Sequence, residues 1–385
     1  HEVRSGELAT LGKVPHGRYY GSVDATPLFV SLFVDACRWI GWLPEPSAAE
    51  SPAAARRRAP RDAMPSVLAR LLPAAEAALH WIDAFGSGDG GLVWYRPRNP
   101  RAGRNHVWKD SNDSYRYADG TLARPPIAAV EVQGYVCEAK RGMADVYEAL
   151  GRRDAAAELR AQAEQLASTV DEMFWMPAES TYAMGIDRRG RQIDSVTSNP
   201  GHLLWSGAAR PARAARLVDR LLAEDMFSGW GVRSMSSRMA AFNPLSYHNG
   251  SVWPHDNSLI AAGMARYGHA RHAWRVIDAL LDAATVARPA RLPELFAGFA
   301  RDRTRDLVPY PSACAPQAWA SGAIALAVET ALRLDAARGT PVGVVENAPA
   351  LRLSGAGIGG WSGSGRNVAE AESRTRRRGT LRRSR

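Results

Sequence analysis

IAAVEVQGYVCEAKRGMADVYEALGRRDAAAELRAQAEQLASTVDEMF, residues 127–174, is the stretch whose reading decides the fold class. From Ile127 to Leu150 most positions are apolar or small, so a helix here would be wrapped by protein on most sides. Gly151 follows, where a helix commonly ends on a left-handed residue. Arg152–Phe174 is then rich in Ala, Arg and Glu with a single apolar stripe recurring every three to four positions, the pattern of a helix with one wet face. A buried helix, a glycine stop and an amphipathic helix make one helical hairpin.

The unit recurs. Asn257–Tyr267 is again apolar, Gly268 stops it, and His269–Ala284 is again striped. Ala209–Glu224 and Ala313–Leu334 supply further helices of the two kinds. Thr26–Leu43 is apolar on nearly every side and is expected to be an inner wall buried all round. Ser66–Phe85 reads as its amphipathic partner, ended by the glycine-rich GSGDGG at 86–91, with the Ala/Pro/Arg-rich Ser47–Pro60 as a loop between them. Repeating hairpins predict an all-α chain in which inner and outer helices form an (α/α)6 toroid, occupying residues 1–336 as one domain. About nine or ten helices are legible against twelve in six pairs, so the first helices are expected to lie ahead of His1. Beyond residue 336 no apolar period survives, and 337–385 is expected to be a disordered basic tail.

Charge sits mainly in that tail. The formal net charge is +10 over 385 residues, but residues 336–385 hold ten arginines against Glu346, Glu370 and Glu372, a net of +7. The body is near balance, so a nucleic-acid partner is not expected. No apolar run is long enough for a membrane span. Cys37, Cys137 and Cys314 are too few and scattered for a disulfide framework. Each lies in an apolar stretch and is expected to be a buried thiol, which fits a cytoplasmic protein.

Between the helices lie long segments too patterned for linkers: HVWKDSNDSYRYADG (106–120) running into VEVQGY, SNPGHLLWSG (198–207), SYHNGSVWPHDNS (246–258), and LPELF (292–296) followed by VPYPSACAPQAW (308–319). In a toroid such loops gather at one end, where function belongs. They concentrate acids, amides and Trp108, Trp205, Trp253 and Trp319. Cleaving a glycosidic bond needs one carboxylic acid to protonate the leaving oxygen and a second carboxylate to activate water or attack carbon, with flat rings and amides to hold the sugar. Each residue also has a plainer reading. A tryptophan in a loop is more often local core. Asp110, Asp113 and Asp119 could cap helices or close Asx turns, and Asp119-Gly120 reads as such a turn. Glu131 could be a first-turn dipole partner. Glu294, flanked by Leu, Pro, Leu and Phe, is harder to explain without a partner or a purpose. His248 and His255 beside Asp256 match no strong zinc pattern, and no nucleotide or serine-nucleophile fingerprint occurs, so neither metal nor cofactor is expected.

Taken in order, WKDSNDS, AAVEVQGY, SNPGHLLWSG, YHNGSVWPHDN and LPELF with PSACAPQAW resemble the bacterial amylo-α-1,6-glucosidase (glycogen-debranching-like) family of six-hairpin glycosidases, over roughly His1–Ala336. The resemblance implies an inverting α-glucosidase acting on an oligosaccharide or polysaccharide. Its base motif falls on Glu294. Its acid falls on Asp113 if KDSNDS is set beside the trehalase-like pattern, which we prefer, or on Asp110 if VWKD is set beside the debrancher pattern. Trp108, Glu131, Gln133, His248, Trp253, Asp256, Gln317 and Trp319 would then form the sugar-binding shell. A related α-glycosidase of another specificity, or a carbohydrate-binding remnant without turnover, are the alternatives.

Overall fold

The computed structural model describes residues 2–3, 5–11, 18–19, 21–44, 63–86, 91–97, 103–287, 291–303 and 306–332, with paired fragments at 334–335, 340–341, 357–358 and 361–362. Residues 47–60 and, those fragments apart, the expected basic tail lie outside the described residues.

Nine helices carry the architecture among the described residues: α1 (Ala25–Trp39), α2 (Ser66–Trp81), α3 (Val130–Ala149), α4 (Arg153–Phe174), α5 (Gly201–Trp205), α6 (Pro211–Leu221), α7 (Pro254–Arg266), α8 (Ala270–Val286) and α9 (Ala318–Leu332). They pack as an arc. α1 lies on α3, α3 on α5, α5 on α7 and α7 on α9, while α2, α4, α6 and α8 back α1, α3, α5 and α7 respectively. The inner members approach closely because small residues meet at the contacts. A Cβ on Gly142 of α3 would lie 2.9 Å from Val34 Cγ1, and one on Gly263 of α7 would run into the Trp205 backbone nitrogen. Gly151 and Gly268 both adopt left-handed φ (78° and 81°), as the hairpin reading requires.

Three expectations are corrected. The segment 127–150 is not helical from its start: Ile127–Ala129 is a strand, β1, paired antiparallel with Gly185–Asp187 in a three-stranded sheet closed by Gln192–Ile193. Three consecutive branched or small residues that are buried on both sides suit an extended ladder as well as a helical turn. The SNPGHLLWSG segment, read as a loop, contains α5 and so contributes to the inner wall. Helix α1 is not buried all round among the described residues. Val30, Phe33, Val34 and Cys37 face the core, but Leu32 is 67% exposed and Phe29, Trp39 and Ile40 are exposed beside it.

The inter-helix segments are laced into one framework by antiparallel bridges: Thr197 with Met235, Arg233 with Val252, Val252 with Phe296 and Phe296 with Pro309. This ladder brings residues 248–256, 294 and 308–317 side by side although they are far apart in sequence. Among the described residues no helix is long and apolar enough to cross a membrane.

Candidate active site

The 106–120 loop is built from inside outward. Asn105 fixes its shape by donating to the Ser111 carbonyl (2.7 Å) and the Ser114 hydroxyl (2.9 Å), while Ser114 Oγ donates to the Lys109 carbonyl at 2.6 Å. Lys109 points inward and is fully buried, with Nζ donating to the Ser234 carbonyl at 2.7 Å. Asp110 therefore points outward and reaches solvent.

Glu294 lies across from it on the bridge ladder, sparingly exposed. Tyr247 Oη donates to Oε1 at 2.7 Å, Gln317 Nε2 reaches the same oxygen at 3.3 Å, and the Cys314 N–H donates to Oε2 at 3.0 Å. Both oxygens of this carboxyl are thus engaged as acceptors. Crowding around Asp110 raises its pKa above the ordinary 3.8, and the negative charges of Asp24 and Glu294 add to the effect. Tyr247 feels both acids, its phenol being raised by burial, by its bond to Glu294 and by the charge of Asp110. The three groups thus share one site.

Its wall is aromatic. Trp108 stacks on His202 (centroids 5.9 Å apart, 14° between planes) and meets Trp253 and His255 edge-on. His248 stacks on Trp253 at 5.0 Å, and its Nδ1 shares a 2.7 Å hydrogen bond with Ser111 Oγ, tying the two loops together. Trp319, 40% exposed, stacks on His255 at 3.6 Å.

Behind the wall is a sealed polar layer. Glu131 accepts from Tyr115 Oη at 3.1 Å. Asp256 pairs with His202 Nε2 at 2.7 Å, and the other ring nitrogen of His202 meets Tyr135 Oη at 2.5 Å. Burial raises Glu131 despite Lys109 and His202 nearby. Burial would raise Asp256 too, but the hydrogen bond and charge of His202, with Lys109, overrule it and hold that carboxyl below its usual range. Lys109 is pushed down to about 8 by burial, opposed by Asp256 and Glu131. His255 is pushed down to about 3 by burial, so its ring is neutral at ordinary pH. Asp256 Oδ2 and both ring nitrogens of His255 have no hydrogen-bond partner among the described residues.

Asp110, Glu294, Trp108, His248, Trp253, Gln317 and Trp319 are brought together around one site. Glu131 and Asp256 stand in the layer behind it. Gln133 is elsewhere in kind: Oε1 accepts from the Val93 N–H, and Nε2 donates to the Val93 and Ala129 carbonyls, so its amide is spent on tying β1 to the 91–97 segment. Asp113 has its backbone and side-chain oxygens turned to Asn249 Nδ2 (3.0 and 3.4 Å). Asp119 closes its turn, with Oδ1 accepting from the Thr121 N–H and hydroxyl and Gly120 at φ 85°. The cysteine expectation holds for Cys37 and Cys137 and fails for Cys314, which is exposed beside Glu294 because two prolines flank its segment and keep it out of α9. Sequence reading missed Tyr247, His202 and Lys109. The best clue to Lys109 was its rarity, one of three lysines in the chain.

Residues 45–296 match the family of mannosylglycerate hydrolase MGH1-like glycoside hydrolase domains, a span holding both Asp110 and Glu294. The chain belongs to this family. A mannosylglycerate hydrolase of Rubrobacter radiotolerans is 26% identical over 151 residues, covering 38% of this chain and 34% of that protein, so the match spans about a third of the relative's length. A GH63 mannosylglycerate hydrolase from Thermus thermophilus, solved with glucose, superposes with a TM-score of 0.52 at 17% identity, covering 81% of this chain and 76% of the other. The same enzyme with Tris and D-glycerate gives 0.50 at 16% identity, over 83% and 79%. The helix-rich fold is therefore that of the GH63 six-hairpin glycosidases. The family membership supports a glycoside hydrolase; a debranching specificity receives no support from these relatives.

Proposed function

We propose that this chain hydrolyses an α-glycosidic bond with inversion, Asp110 acting as acid and Glu294 as base, inside a six-pair toroid of which the described helices are a part. The observation that carries it is the pairing itself: Asp110, solvent-reaching and with a raised pKa, sits within electrostatic reach of a Glu294 held by three donors. Asp110 gives its proton to the glycosidic oxygen as the bond to the anomeric carbon breaks. Glu294 takes a proton from the water that attacks the opposite face. Inversion calls for carboxyls about 6.5–9.5 Å apart. Asp113, the acid preferred from sequence, is replaced in this reading by Asp110, because Asp113 turns toward Asn249.

For the substrate, family membership favours an α-glycoside of a small polyhydroxy acceptor of the mannosylglycerate kind. The debrancher-like motif order favours an α-1,6-glucosidic bond in an oligosaccharide or polysaccharide. Assaying α-mannosylglycerate, α-glucosylglycerate, isomaltose and panose separates them, and proton NMR of the nascent product reads the anomer. A β-anomer released first is expected. An α-anomer would overturn inversion, and sugar binding without turnover of any substrate would make the chain a binding remnant.

A further inference from the structure

Asp110 and Glu294 come from segments far apart in sequence, yet a short path of bonds joins them among the described residues. From Asp110 it runs one residue along to Ser111 and across to His248. It then runs one residue back to Tyr247 and across to Glu294. The Ser111–His248 contact is the joint between the two halves of the site.

Both sides of the joint are fixed from behind. The Ser111 carbonyl accepts from Asn105 Nδ2 at 2.7 Å, from Ser114 Oγ at 2.9 Å and from the Ser114 N–H at 3.1 Å. Its hydroxyl and N–H are turned the other way, toward His248 Nδ1 at 2.7 and 3.4 Å. A backbone N–H only donates, so Nδ1 is the accepting nitrogen of a neutral ring. Burial holds His248 well below the ordinary 6.5, in keeping with that tautomer. The ring is 1% exposed, stacked on Trp253 and met edge-on by Trp108 and Tyr247. It cannot swing without displacing three aromatic neighbours. The Tyr247 carbonyl accepts from Ser251 Oγ at 2.7 Å and Trp253 Nε1 at 2.9 Å, which fixes the turn that carries the donor to Glu294.

We infer that Ser111 and His248 are positioning residues, and that their hydrogen bond sets the separation of the Asp110 and Glu294 carboxyls. The inference rests on the hydrolase reading for its consequence and on the geometry of the joint for its existence. His248, expected from sequence to hold sugar, acts instead through the two carboxyls. Proton transfer between acid, glycosidic oxygen and water tolerates little misplacement, an error of about 1 Å costing about a hundredfold in rate.

Ser111→Ala removes the donor, and His248→Phe removes the acceptor while keeping a ring in the stack. A second tie, from Asn249 Nδ2 to the Asp113 carbonyl at 3.0 Å, holds the two segments together in both variants. Each should lower kcat about a hundredfold with KM unchanged, on whichever of the four glycosides the wild type cleaves best. The double variant should be no worse than either, because all three break the same bond. Additive losses, an unchanged kcat in Ser111→Ala, or a raised KM with unchanged kcat in His248→Phe would overturn it. If the wild type cleaves none of the four, the hydrolase reading fails by itself. Carboxyl carbon NMR titration of Asp110, which needs no turnover, then decides the joint. The negative charge of Glu294 raises the Asp110 pKa, so Glu294→Gln should lower it. A drop of different size in the Ser111→Ala background sustains the inference; an equal drop in both backgrounds, or none, overturns it.

Discussion

Two pairs of carboxylates flank the tryptophan wall, and they live in opposite conditions. Asp110 and Glu294 stand in front of it, within reach of solvent and of each other's charge. Glu131 and Asp256 stand behind it, wholly buried, with Lys109 and His202 supplying opposite charge and hydrogen bonds. A buried carboxylate of the second kind is held by what surrounds it and has little freedom to change protonation or partner. Asp110, which reaches solvent and is raised in pKa, can exchange a proton with a ligand. In the proposed mechanism, position relative to one wall of rings, more than residue type, divides chemistry from support.

The largest effect expected of this division is on turnover. Glu294→Gln and Asp110→Asn should each lower kcat by roughly three orders of magnitude, about 4 kcal/mol of barrier, while leaving thermal unfolding in place. In the wild type, activity should fall as pH rises through the Asp110 pKa, because the acid must start protonated. An unchanged rate in either variant would remove that residue from the chemistry.

Next in size is a loss of stability behind the wall. Asp256→Ala leaves His202 and Lys109 without their carboxylate and should cost about 3–5 kcal/mol in urea unfolding. Should Asp256→Ala keep full stability and lose only turnover, the rear pair would have to be moved to the front.

A smaller, pH-dependent effect belongs to His255. Its folded pKa of about 3 lies below the ordinary 6.5, so between those values the unfolded chain binds more protons and stability rises with pH. On acidification from about pH 6.5 to about 4.5 the wild type should lose about 2–3 kcal/mol more than His255→Gln, read from unfolding midpoints at each pH. Parallel slopes would mean that the His255 ring is charged or exposed in the folded protein.

The hairpins were legible because their signals are local. An apolar run, a glycine and a striped run determine Val130–Phe174 with no help from the rest of the chain. What stayed out of reach depends on distant chain. Whether Ile127–Ala129 begins a helix or pairs as a strand is settled by Gly185–Asp187, some sixty positions on. Glu294 could be singled out because a charge among Leu, Pro and Phe is locally anomalous. Asp110 and Asp113 are not separable locally, since both sit in the same polar loop and differ in distant surroundings: the charge of Glu294 acts on one, and Asn249 bonds the other. Gln133 shows the converse hazard. Its place in a recognisable motif drew it toward the sugar, while its three hydrogen bonds belong to the backbone.

Cys314 offers a last consequence. Its thiol is exposed, and its pKa is raised chiefly by the charge of Glu294 and by their hydrogen bond. Thiolate, not thiol, reacts with alkylating agents. The cysteine is therefore a built-in voltmeter for the neighbouring carboxylate: its labelling rate at fixed pH reports the charge on Glu294 in the resting protein, with no substrate bound and no bond being broken.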